Sequence, residues 1–346
     1  MQTVGDLTSL RKALRAAAGG PQQLPRRKFL KLAAGAVAVS AVSSRTWAQT
    51  YPSHSVRLIV PFPPGGPNDV FARLIGQWLY DRWAQPVVID NRPGAGGNIG
   101  TEVVVKAAPD GYTLLLVNSN HTVNATLYGN LNYNFIRDIA PVAAFIHLPL
   151  VLVLNPLVPA NTLPQFIAHA KANPGKLNYA SVGNGSTPHV AGELFKMMTG
   201  IDIVHVPYRG AVQALSDLLS GQVQAMFIVP GVVTEHVKAG KLRAVAVTAA
   251  TRSDVLPDVP TVNSIVPGYE ASTWFGVGAP KNMPSEIVDK LNKEVNAAVA
   301  DPKIKAQLAD LGGAALILSL AEFGKLIADD TEKWGKVIRA ANIKPE

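Results

Sequence analysis

The chain of 346 residues contains no cysteine. This absence excludes disulfide bonds, thiolate metal sites and a cysteine nucleophile. A protein without disulfides has to be stabilised by its apolar core, and the 48% of hydrophobic residues can build one. After the first 48 residues, no apolar stretch reaches the ~20 residues that a membrane-spanning helix needs.

Several motifs of enzymes and metal proteins are also missing. The glycine-rich loops lack the Gly-Lys-Ser/Thr ending of a phosphate-binding loop. The Gly-x-Ser-x-Gly elbow of many hydrolases is absent, and the histidines lack the His-x-x-x-His spacing of a metal site. The sequence therefore predicts no metal and no cofactor, although a hydrolase that uses Ser186 and His189 stays an open alternative.

The first 48 residues have the pattern of an export signal. A basic segment at Arg26–Lys31 precedes the apolar run Leu32–Val42 and a small-residue cleavage site at Ala48. The adjacent arginines resemble a twin-arginine signal, but Pro25 stands where such signals usually have Ser or Thr, so the Sec route stays open. Because the apolar run has only about half the length of a membrane span, a permanent anchor is disfavoured. We predict cleavage near Ala48 and localisation in the periplasm.

Most of the positive charge belongs to this predicted signal. The whole chain has a formal net charge of +8. Its first 48 residues hold eight basic residues and one acid, which leaves +1 for the remainder. No basic patch stands out in that remainder, so the sequence predicts no nucleic-acid partner.

After the predicted signal, short apolar runs alternate with helical patterns. Most runs are apolar throughout, which is typical of strands buried on both faces of a parallel sheet. The predicted strands are 56–60, 86–90, 112–117, 150–155, 177–181, 203–208, 223–228, 243–248 and 272–279, with a short candidate at 315–318. The clearest predicted helices are 69–83, 163–172, 189–199, 211–220, 286–300, 302–311 and 320–341. This alternation predicts an α/β fold.

At residues 58–73 an apolar strand leads into a Gly/Pro loop and then into a helix. Asn68 is a plausible N-cap, and Gly65 and Gly66 allow a sharp turn and the close approach of a ligand. The unpaired amide groups of such a helix start bind anions without lysine or arginine. For this turn alone, an ordinary strand–helix connection is the simpler interpretation.

A second junction of the same kind spans residues 178–195. Thr187, followed by Pro188, has the pattern of an N-cap and a first helical residue. The hydroxyl groups of Ser186 and Thr187 add further donors. Together the two junctions predict a cleft that holds a small carboxylate from two sides. His189 lies early in the helix, where a capping or packing role is the simpler interpretation.

A third glycine-rich segment, Gly94–Gly100, has a spacing close to a dinucleotide fingerprint. Two features argue against that interpretation. Arg92 and Pro93 separate the strand from the glycines, and no acidic residue ends the next predicted strand. We therefore predict no dinucleotide at this segment.

Eight segments, in their order along the chain, resemble the Bug family, the extracytoplasmic solute receptors of tripartite tricarboxylate transporters. They are Ile59–Asp69, Asp90–Gly100, Pro109–Leu115, Asn173–Ser181, Gly183–Ser186, Val204–Tyr208, Leu256–Thr261 and Trp274–Gly276. The likeness extends from about Tyr51 to Ile343. So many ordered motifs are specific for the family, but not for its ligand.

The resemblance implies a two-lobed periplasmic-binding-protein fold of type II-like architecture. Each lobe would be a doubly wound, mostly parallel sheet, and two strands would cross between the lobes. The implied division is an export signal at 1–48, a first domain at 51–149 plus 276–346, and a second domain at 150–275.

The resemblance also implies a ligand site. The loops that match 62–69 and 181–189 hold a carboxylate in the family, and residues after other strands line the cleft. Carried over residue by residue, the predicted ligand-binding set is Phe62, Gly65, Gly66, Asn68, Asp69, Asn118, Ser119, Ser181, Gly185, Ser186, Thr187, His189, Tyr208, Phe227 and Ile228.

Ile228 departs from the family, which commonly has an aspartate after the phenylalanine of this strand. An aspartate accepts hydrogen bonds from an amino or hydroxyl group of a ligand, whereas isoleucine cannot. Two interpretations stay open. Either amino dicarboxylates are disfavoured and a more apolar or aromatic carboxylate is tolerated, or residue 228 faces the core and has no bearing on the ligand.

The predicted function is that of a binding protein without enzymatic activity. By closing its lobes it would capture a small di- or tricarboxylate or an aromatic acid, and it would deliver this ligand to membrane permease subunits. A monomer is the default for this architecture. Beside the hydrolase, a receptor that signals to a membrane sensor is the second alternative.

Overall fold

The computed structural model describes residues 51–250, 252 and 256–345. The predicted export signal lies outside the described residues. The strands are β1 (Val56–Val60), β2 (Val87–Asn91), β3 (Thr113–Asn118), β4 (Ile139–Pro149), β5 (Val151–Leu154), β6 (Asn178–Ser181), β7 (Val204–Pro207), β8 (Ala225–Ile228), β9 (Arg243–Val247), β10 (Ser272–Pro280) and β11 (Ala314–Ala315). The α-helices are α1 (Pro67–Trp83), α2 (Asn98–Val105), α3 (Ser119–Leu127), α4 (Phe135–Asp138), α5 (Leu163–Ala172), α6 (Thr187–Thr199), α7 (Ala211–Ser220), α8 (Pro230–Lys238), α9 (Ser285–Ala300), α10 (Pro302–Asp310) and α11 (Leu320–Ala340). None of these helices combines the length and the apolar character needed to cross a membrane.

The first sheet has the strand order β11-β4-β10-β3-β1-β2. Its strand β1 runs parallel to both β2 and β3, while β10 is antiparallel to β3 and β4. The carboxyl ends of β1, β2 and β3 therefore meet at one edge of the sheet, which is where ligands bind in open α/β sheets. Three segments start at this edge: the loop after β1, the glycine-rich loop after β2, and helix α3.

The second sheet has the order β7-β6-β8-β5-β9. Strand β6 runs parallel to β7 and β8, and β5 is antiparallel to β8 and β9. From the carboxyl end of β6 the chain enters the loop 182–186 and then helix α6. We call the first sheet with its helices lobe 1, and the second sheet with its helices lobe 2.

The α/β prediction is confirmed, but the sheets are mixed rather than mostly parallel. The antiparallel pairs arise where the chain crosses between the lobes. Leu150 alone separates β4 from β5, and β10 returns to lobe 1 antiparallel to β3. The strands of lobe 1 lie within 56–149 and 272–315, and those of lobe 2 within 151–247. The division into domains at 149/150 and 275/276 stays a prediction.

Both predicted N-caps are wrong by one or two residues. Helix α1 begins at Pro67, so Gly66 rather than Asn68 is its N-cap. Helix α6 begins at Thr187, so Ser186 is its N-cap. Each helix has a proline in its first two positions, where the missing N–H breaks no helix hydrogen bond and the fixed φ favours the helix. The helices therefore start earlier than the polar side chains suggested.

The C-terminal helix α11 packs against both lobes. Phe323, near its start, is fully buried beside Trp274 of β10, with the two rings edge to face at 5.3 Å. Trp334 and Val337, near its end, belong to the apolar cluster that includes the core of lobe 2. The helix starts with a capping box in which Ser319 and Glu322 bond each other's backbone amides. Helix α11 thus connects the two cores.

Asp330 on α11 is a buried carboxylate that accepts a hydrogen bond of 2.6 Å from Trp274 Nε1. Burial raises the pKa of Asp330 to about 6 from its usual 3.8. The folded state therefore binds a proton more tightly than the unfolded state does. The contribution of Asp330 to the free energy of unfolding decreases as the pH rises from about 4 to about 6. Above that range the full cost of burying the ionised carboxylate destabilises the fold.

We expect Asp330→Asn to raise the free energy of unfolding at pH 7.5 by about 1–3 kcal/mol, and to change it little at pH 4. The asparagine oxygen still accepts from Trp274 and carries no charge to desolvate. Urea unfolding at the two pH values measures the difference. Asp329→Asn is the matched control, because Asp329 is exposed and faces Lys325. An equal gain in the free energy of unfolding at both pH values would contradict the inference that Asp330 is ionised at pH 7.5 and protonated at pH 4.

Candidate functional site

A cavity of about 250 Å³ lies between loops of the two lobes. It is partly open to solvent, and glycines and small polar residues make up more than half of its lining. Its lining residues are Pro61, Phe62, Pro63, Pro93, Gly94, Gly96, Gly97, Asn120, Asn124, Tyr128, Val182, Gly183, Asn184, Gly185 and Ser186. None of these residues is Asp, Glu, Lys, Arg or His.

The loops after β1 and β2 form one wall. Gly97 lies against Phe62, since a Cβ added at Gly97 would be 3.2 Å from Phe62 Cζ. The φ of Gly97 is +100°, a conformation that favours glycine. Asn91 Nδ2 donates to the backbone oxygen of Phe62 at 3.1 Å. These contacts fix the two loops against each other.

Helix α3 forms the base of the lobe 1 side. Asn118 caps this helix, accepting from the Asn120 amide at 3.1 Å, and it also donates to Asn68 Oδ1 at 2.7 Å. One turn further, Asn124 Nδ2 donates to the Gly96 oxygen at 2.9 Å. The side chains of Asn120 and Asn124, four residues apart, therefore lie on the same face of α3, towards the cavity.

The loop after β6 forms the lobe 2 wall. Ser186 Oγ donates to the Gly183 oxygen at 2.7 Å, and the Gly183 amide donates to Ser181 Oγ at 3.1 Å. Gly183 and Gly185 have φ values of +121° and +73°, so two positions of this turn favour glycine. The turn is compact and ends at the first residue of α6.

The starts of α3 and α6 meet across the cleft. Ser119 Oγ lies 2.9 Å from Thr187 Oγ1, and Thr187 Oγ1 donates to Asn120 Oδ1 at 3.2 Å. A Cβ at Gly185 would overlap the Leu127 side chain of α3. The two lobes are thus in direct contact beside the cavity, and the absence of a side chain at Gly185 permits that contact.

Three helix starts border the cavity: those of α2, α3 and α6. None has an acidic residue in its first turn, so the partial positive charge of each start is not compensated by a carboxylate of its own. With no charged side chain in the lining, the lining contains only amide, carboxamide and hydroxyl groups as potential donors to a ligand.

The start of α1 differs from the other three. Asp69 in its first turn accepts from the Gly65 amide at 3.0 Å and from Arg73 Nε at 2.9 Å. The bond from Arg73 is the main cause that lowers the pKa of Asp69. A carboxylate of the chain itself therefore already occupies this positive end, and the cavity is lined by Phe62 and the adjacent prolines, not by the first turn of α1.

Ser186 and His189 do not form a nucleophile–base pair. The Ser186 hydroxyl donates to the Gly183 oxygen, while His189 Nδ1 accepts the Gly185 amide at 3.0 Å. The His189 ring is stacked on His205 with centroids 3.7 Å apart. Burial lowers the pKa of His189 to about 4 and that of His205 to about 3. The alternative of a Ser186/His189 hydrolase is therefore wrong.

The structure brings only part of the predicted ligand-binding set to the cavity. Those that line it are Phe62, Gly185 and Ser186. Those that hold or adjoin lining residues are Asn118, Ser119, Ser181, Thr187 and His189. Those outside the lining are Gly65, Gly66, Asn68, Asp69, Tyr208, Phe227 and Ile228. Ligand binding by these residues stays a prediction.

The residues of lobe 2 outside the lining have other contacts. Tyr208 donates to Asp217 Oδ2 at 2.7 Å. Phe227 packs in the core against Phe195, with rings 5.8 Å apart. Ile228 is 3% exposed and belongs to an apolar cluster of the second sheet. This placement favours the interpretation that residue 228 faces the core.

Sequence reasoning missed the glycine-rich loop after β2, Asn124 of α3 and Tyr128 directly after α3. Gly94, Gly96, Gly97, Asn124 and Tyr128 all line the cavity. The loop had the same signal as the other two junctions, a strand followed by glycines and a helix start. The poor match to a dinucleotide fingerprint does not exclude a smaller anion, so the same pattern also fits an anion-binding loop at Gly94–Gly100.

Two sheets joined by crossover strands, with a polar cavity where their loops meet, define a two-lobed solute-binding protein. The chain belongs to the family described as the tripartite tricarboxylate transporter family receptor, whose sequence profile matches residues 71–343. The resemblance to the Bug family is thereby confirmed. The family consists of solute-binding receptors, and the protein is a receptor of this kind and not an enzyme.

Three relatives are informative. Protein BugT of Bordetella pertussis is 39% identical over 311 residues, which cover 89% of this chain and 95% of BugT. The structure of R. palustris Rpa4515 with adipate has a TM-score of 0.77 and 35% identity, covering 86% of this chain and 100% of that one. MatC (Rpa3494) from Rhodopseudomonas palustris with bound malate has a TM-score of 0.73 and 32% identity, and the match covers 83% of this chain and 100% of MatC. The two-lobed fold is confirmed by this likeness.

Proposed function

We propose that the protein captures a small carboxylate in the cavity between its lobes and, after export to the periplasm, delivers it to the permease of a tripartite tricarboxylate transporter. The observation that carries this proposal is the meeting of two uncompensated helix starts, α3 from lobe 1 and α6 from lobe 2, beside a cavity without charged side chains.

Each helix start behaves like a charge of about +0.5. Two such ends that face each other repel, and the neutral hydrogen bond between Ser119 and Thr187 does not remove this repulsion. A carboxylate between Asn120 and Ser186 offsets both charges. Binding of the anion and approach of the lobes therefore stabilise each other, because the anion binds the closed arrangement better than the open one.

The neutral donors are sufficient for the affinity that a transport receptor needs. Micromolar binding corresponds to about −8 kcal/mol. A hydrogen bond to a charged group contributes roughly 1.5–3 kcal/mol, so about three or four donors, with apolar contact to Phe62 and the flanking prolines, reach that range. Because no cation pairs with the ligand, release requires only that the lobes separate.

The size of the cavity favours a short aliphatic dicarboxylate. Its volume of about 250 Å³ is smaller than the ~300–1,000 Å³ of pockets for drug-sized ligands. The relatives with adipate and with malate support this class. Uncompensated helix starts lie on both sides of the cavity, so more than one carboxylate of a ligand can lie near a helix start.

A thermal-shift and calorimetry screen tests the ligand class. The panel is adipate, malate, citrate and benzoate, with adipamide as the neutral analogue of adipate. We expect a dicarboxylate to raise the melting temperature and adipamide to leave it unchanged, since only the charged form compensates the helix starts. Equal shifts with adipate and adipamide, or no shift with any acid of the panel, would contradict the proposal.

Delivery to a permease needs its own test. In a host that lacks this chain, uptake of the radiolabelled acid from the screen is measured with and without the chain and its transporter subunits. Uptake that requires both supports delivery. Uptake that is unchanged without this chain would instead favour a receptor that signals to a membrane sensor.

A further inference from the structure

Two imidazoles, those of the buried His189 and the partly buried His205, lie directly beneath the lobe 2 wall of the cavity. The rings of His189 and His205 are stacked at 3.7 Å with planes inclined by 8°. His189 Nδ1 accepts the Gly185 amide at 3.0 Å. His205 Nε2 lies 2.6 Å from Ser181 Oγ. Each ring thus bonds, through a different nitrogen, one end of the loop that faces the cavity.

The hydrogen bonds determine the protonation of His189. A backbone N–H can only donate, so Nδ1 of His189 has to be the acceptor and the ring proton sits on Nε2. Burial keeps both rings neutral by lowering their pKa values, to about 4 for His189 and about 3 for His205. Their charged neighbours are Glu193 and Lys196, which bond each other at 3.0 Å.

The pair acts on the loop and not on the cavity directly. Gly183, Gly185 and Ser186 line the cavity, and neither histidine does. Ser181 Oγ receives the Gly183 amide at 3.1 Å, so His205 reaches Gly183 through this hydroxyl. The amides of Gly183 and Gly185 are both turned away from the cavity into this network.

We propose that His189 and His205 are positioning residues, which hold the loop Gly183–Ser186 in the ligand-binding shape through the Gly185 amide and the Ser181 hydroxyl. This inference rests on the proposed function of the cavity. It assigns the predicted site residue His189 a role that needs no contact with the ligand. The Gly185 amide points to His189 and the Gly183 amide to the Ser181 hydroxyl, and the start of α6 stays available to an anion.

Asparagine and glutamine separate positioning from packing. The amide atoms of asparagine overlie the Nδ1 position of histidine, and those of glutamine overlie the Nε2 position. Packing alone favours glutamine at both positions, since its volume is closer to that of histidine. Positioning instead predicts opposite preferences at the two positions. Asparagine should preserve ligand binding in place of His189, and glutamine should preserve it in place of His205.

The four variants His189→Asn, His189→Gln, His205→Asn and His205→Gln are made in the full chain, which is exported and purified from the periplasm. Adipate is the probe in calorimetry. We expect His189→Gln and His205→Asn to weaken adipate binding by about tenfold, and the other two variants to stay within about twofold of the parent protein. The proposal would be overturned if the same amide, asparagine or glutamine, gave the higher adipate affinity at both positions. It would also be overturned if no variant changed the affinity.

Amide hydrogen exchange at Gly185 in the ligand-free protein gives a second readout. We expect faster exchange at Gly185 in His189→Gln and protection close to the parent in His189→Asn. Equal protection in both variants overturns the proposal even if all melting temperatures agree. Failure of the parent protein to bind adipate would count against the proposed ligand class alone, because the Gly185 measurement needs no ligand.

Discussion

Asn120→Asp is expected to abolish carboxylate binding while it stabilises the fold. Asn120 lines the cavity in the first turn of α3 and accepts from Thr187. A second carboxylate about 4 Å from the ligand costs about 4 kcal/mol at an effective dielectric constant of 20, which corresponds to about a thousandfold loss of affinity. The same negative charge at the helix start adds about 0.3–1 kcal/mol to stability. Calorimetry with the acid identified in the screen measures the first effect, and urea unfolding measures the second.

Gln165→Glu is the matched control for this prediction. Gln165 lies in the first turn of α5, where its side-chain oxygen accepts the Asn161 amide at 2.7 Å. The change places the same charge at a helix start away from the cavity, so stability should rise and carboxylate affinity should stay constant. If Asn120→Asp binds the acid as tightly as Gln165→Glu does, the helix starts are not what holds the anion.

Gly276→Ala is expected to destabilise the protein by about 3 kcal/mol or more. Gly276 lies in the middle of β10, between β3 and β4. A Cβ there would be 2.5 Å from the Ala143 backbone oxygen and 2.6 Å from Phe323 Cζ. The carbonyl belongs to the sheet and cannot move aside without breaking strand pairing, and Phe323 is fully buried. The free energy of unfolding from urea titration measures the loss.

Gly129→Ala is the control for the glycine-to-alanine change itself. A Cβ at Gly129 would meet no atom within 4 Å, so this variant should stay close to the parent in stability. Because β10 is one of the strands that connect the lobes, Gly276→Ala should also lower carboxylate affinity. Unfolding midpoints that agree between the two variants would mean that the sheet accommodates a methyl group at position 276.

Most strands and seven of the eleven α-helices among the described residues could be predicted from local pattern, whereas α2, α3, α4 and α8 were missed. The predicted helices at 163–172 and 211–220 have the observed bounds, and β1 matches 56–60. The strand β4 was missed, although it is the longest of the described strands. Its segment is rich in alanine and contains Pro141 and Pro149, which favour no strand by themselves. It forms a strand because β10 and β11 pair with its two edges.

The site was predicted in kind but not in detail. The argument that a strand, a glycine turn and a helix start make an anion site applies to Ser186 in lobe 2. It applies less well to α1, because the side chain of Asp69 folds back onto Gly65 and Arg73. The spacing of Asp69 and Arg73, four residues apart, contained that information. Whether the Asp69 carboxylate also reaches the Gly65 amide at the start of α1 depends on the conformation of the loop, which the spacing does not give.

The sequence by itself determined an α/β fold, because apolar strands, helix patterns and turn glycines are local properties that neighbouring residues impose. Its eight ordered motifs, through their resemblance to the Bug family, indicated the family. It also indicated that the two predicted carboxylate-binding loops offer an anion no lysine or arginine. Only the tertiary structure decided which helix starts face each other and that His205 reaches the Ser181 hydroxyl. Such contacts join residues far apart in the chain, such as Asn120 and Thr187, and depend on how the two sheets bring their edges together.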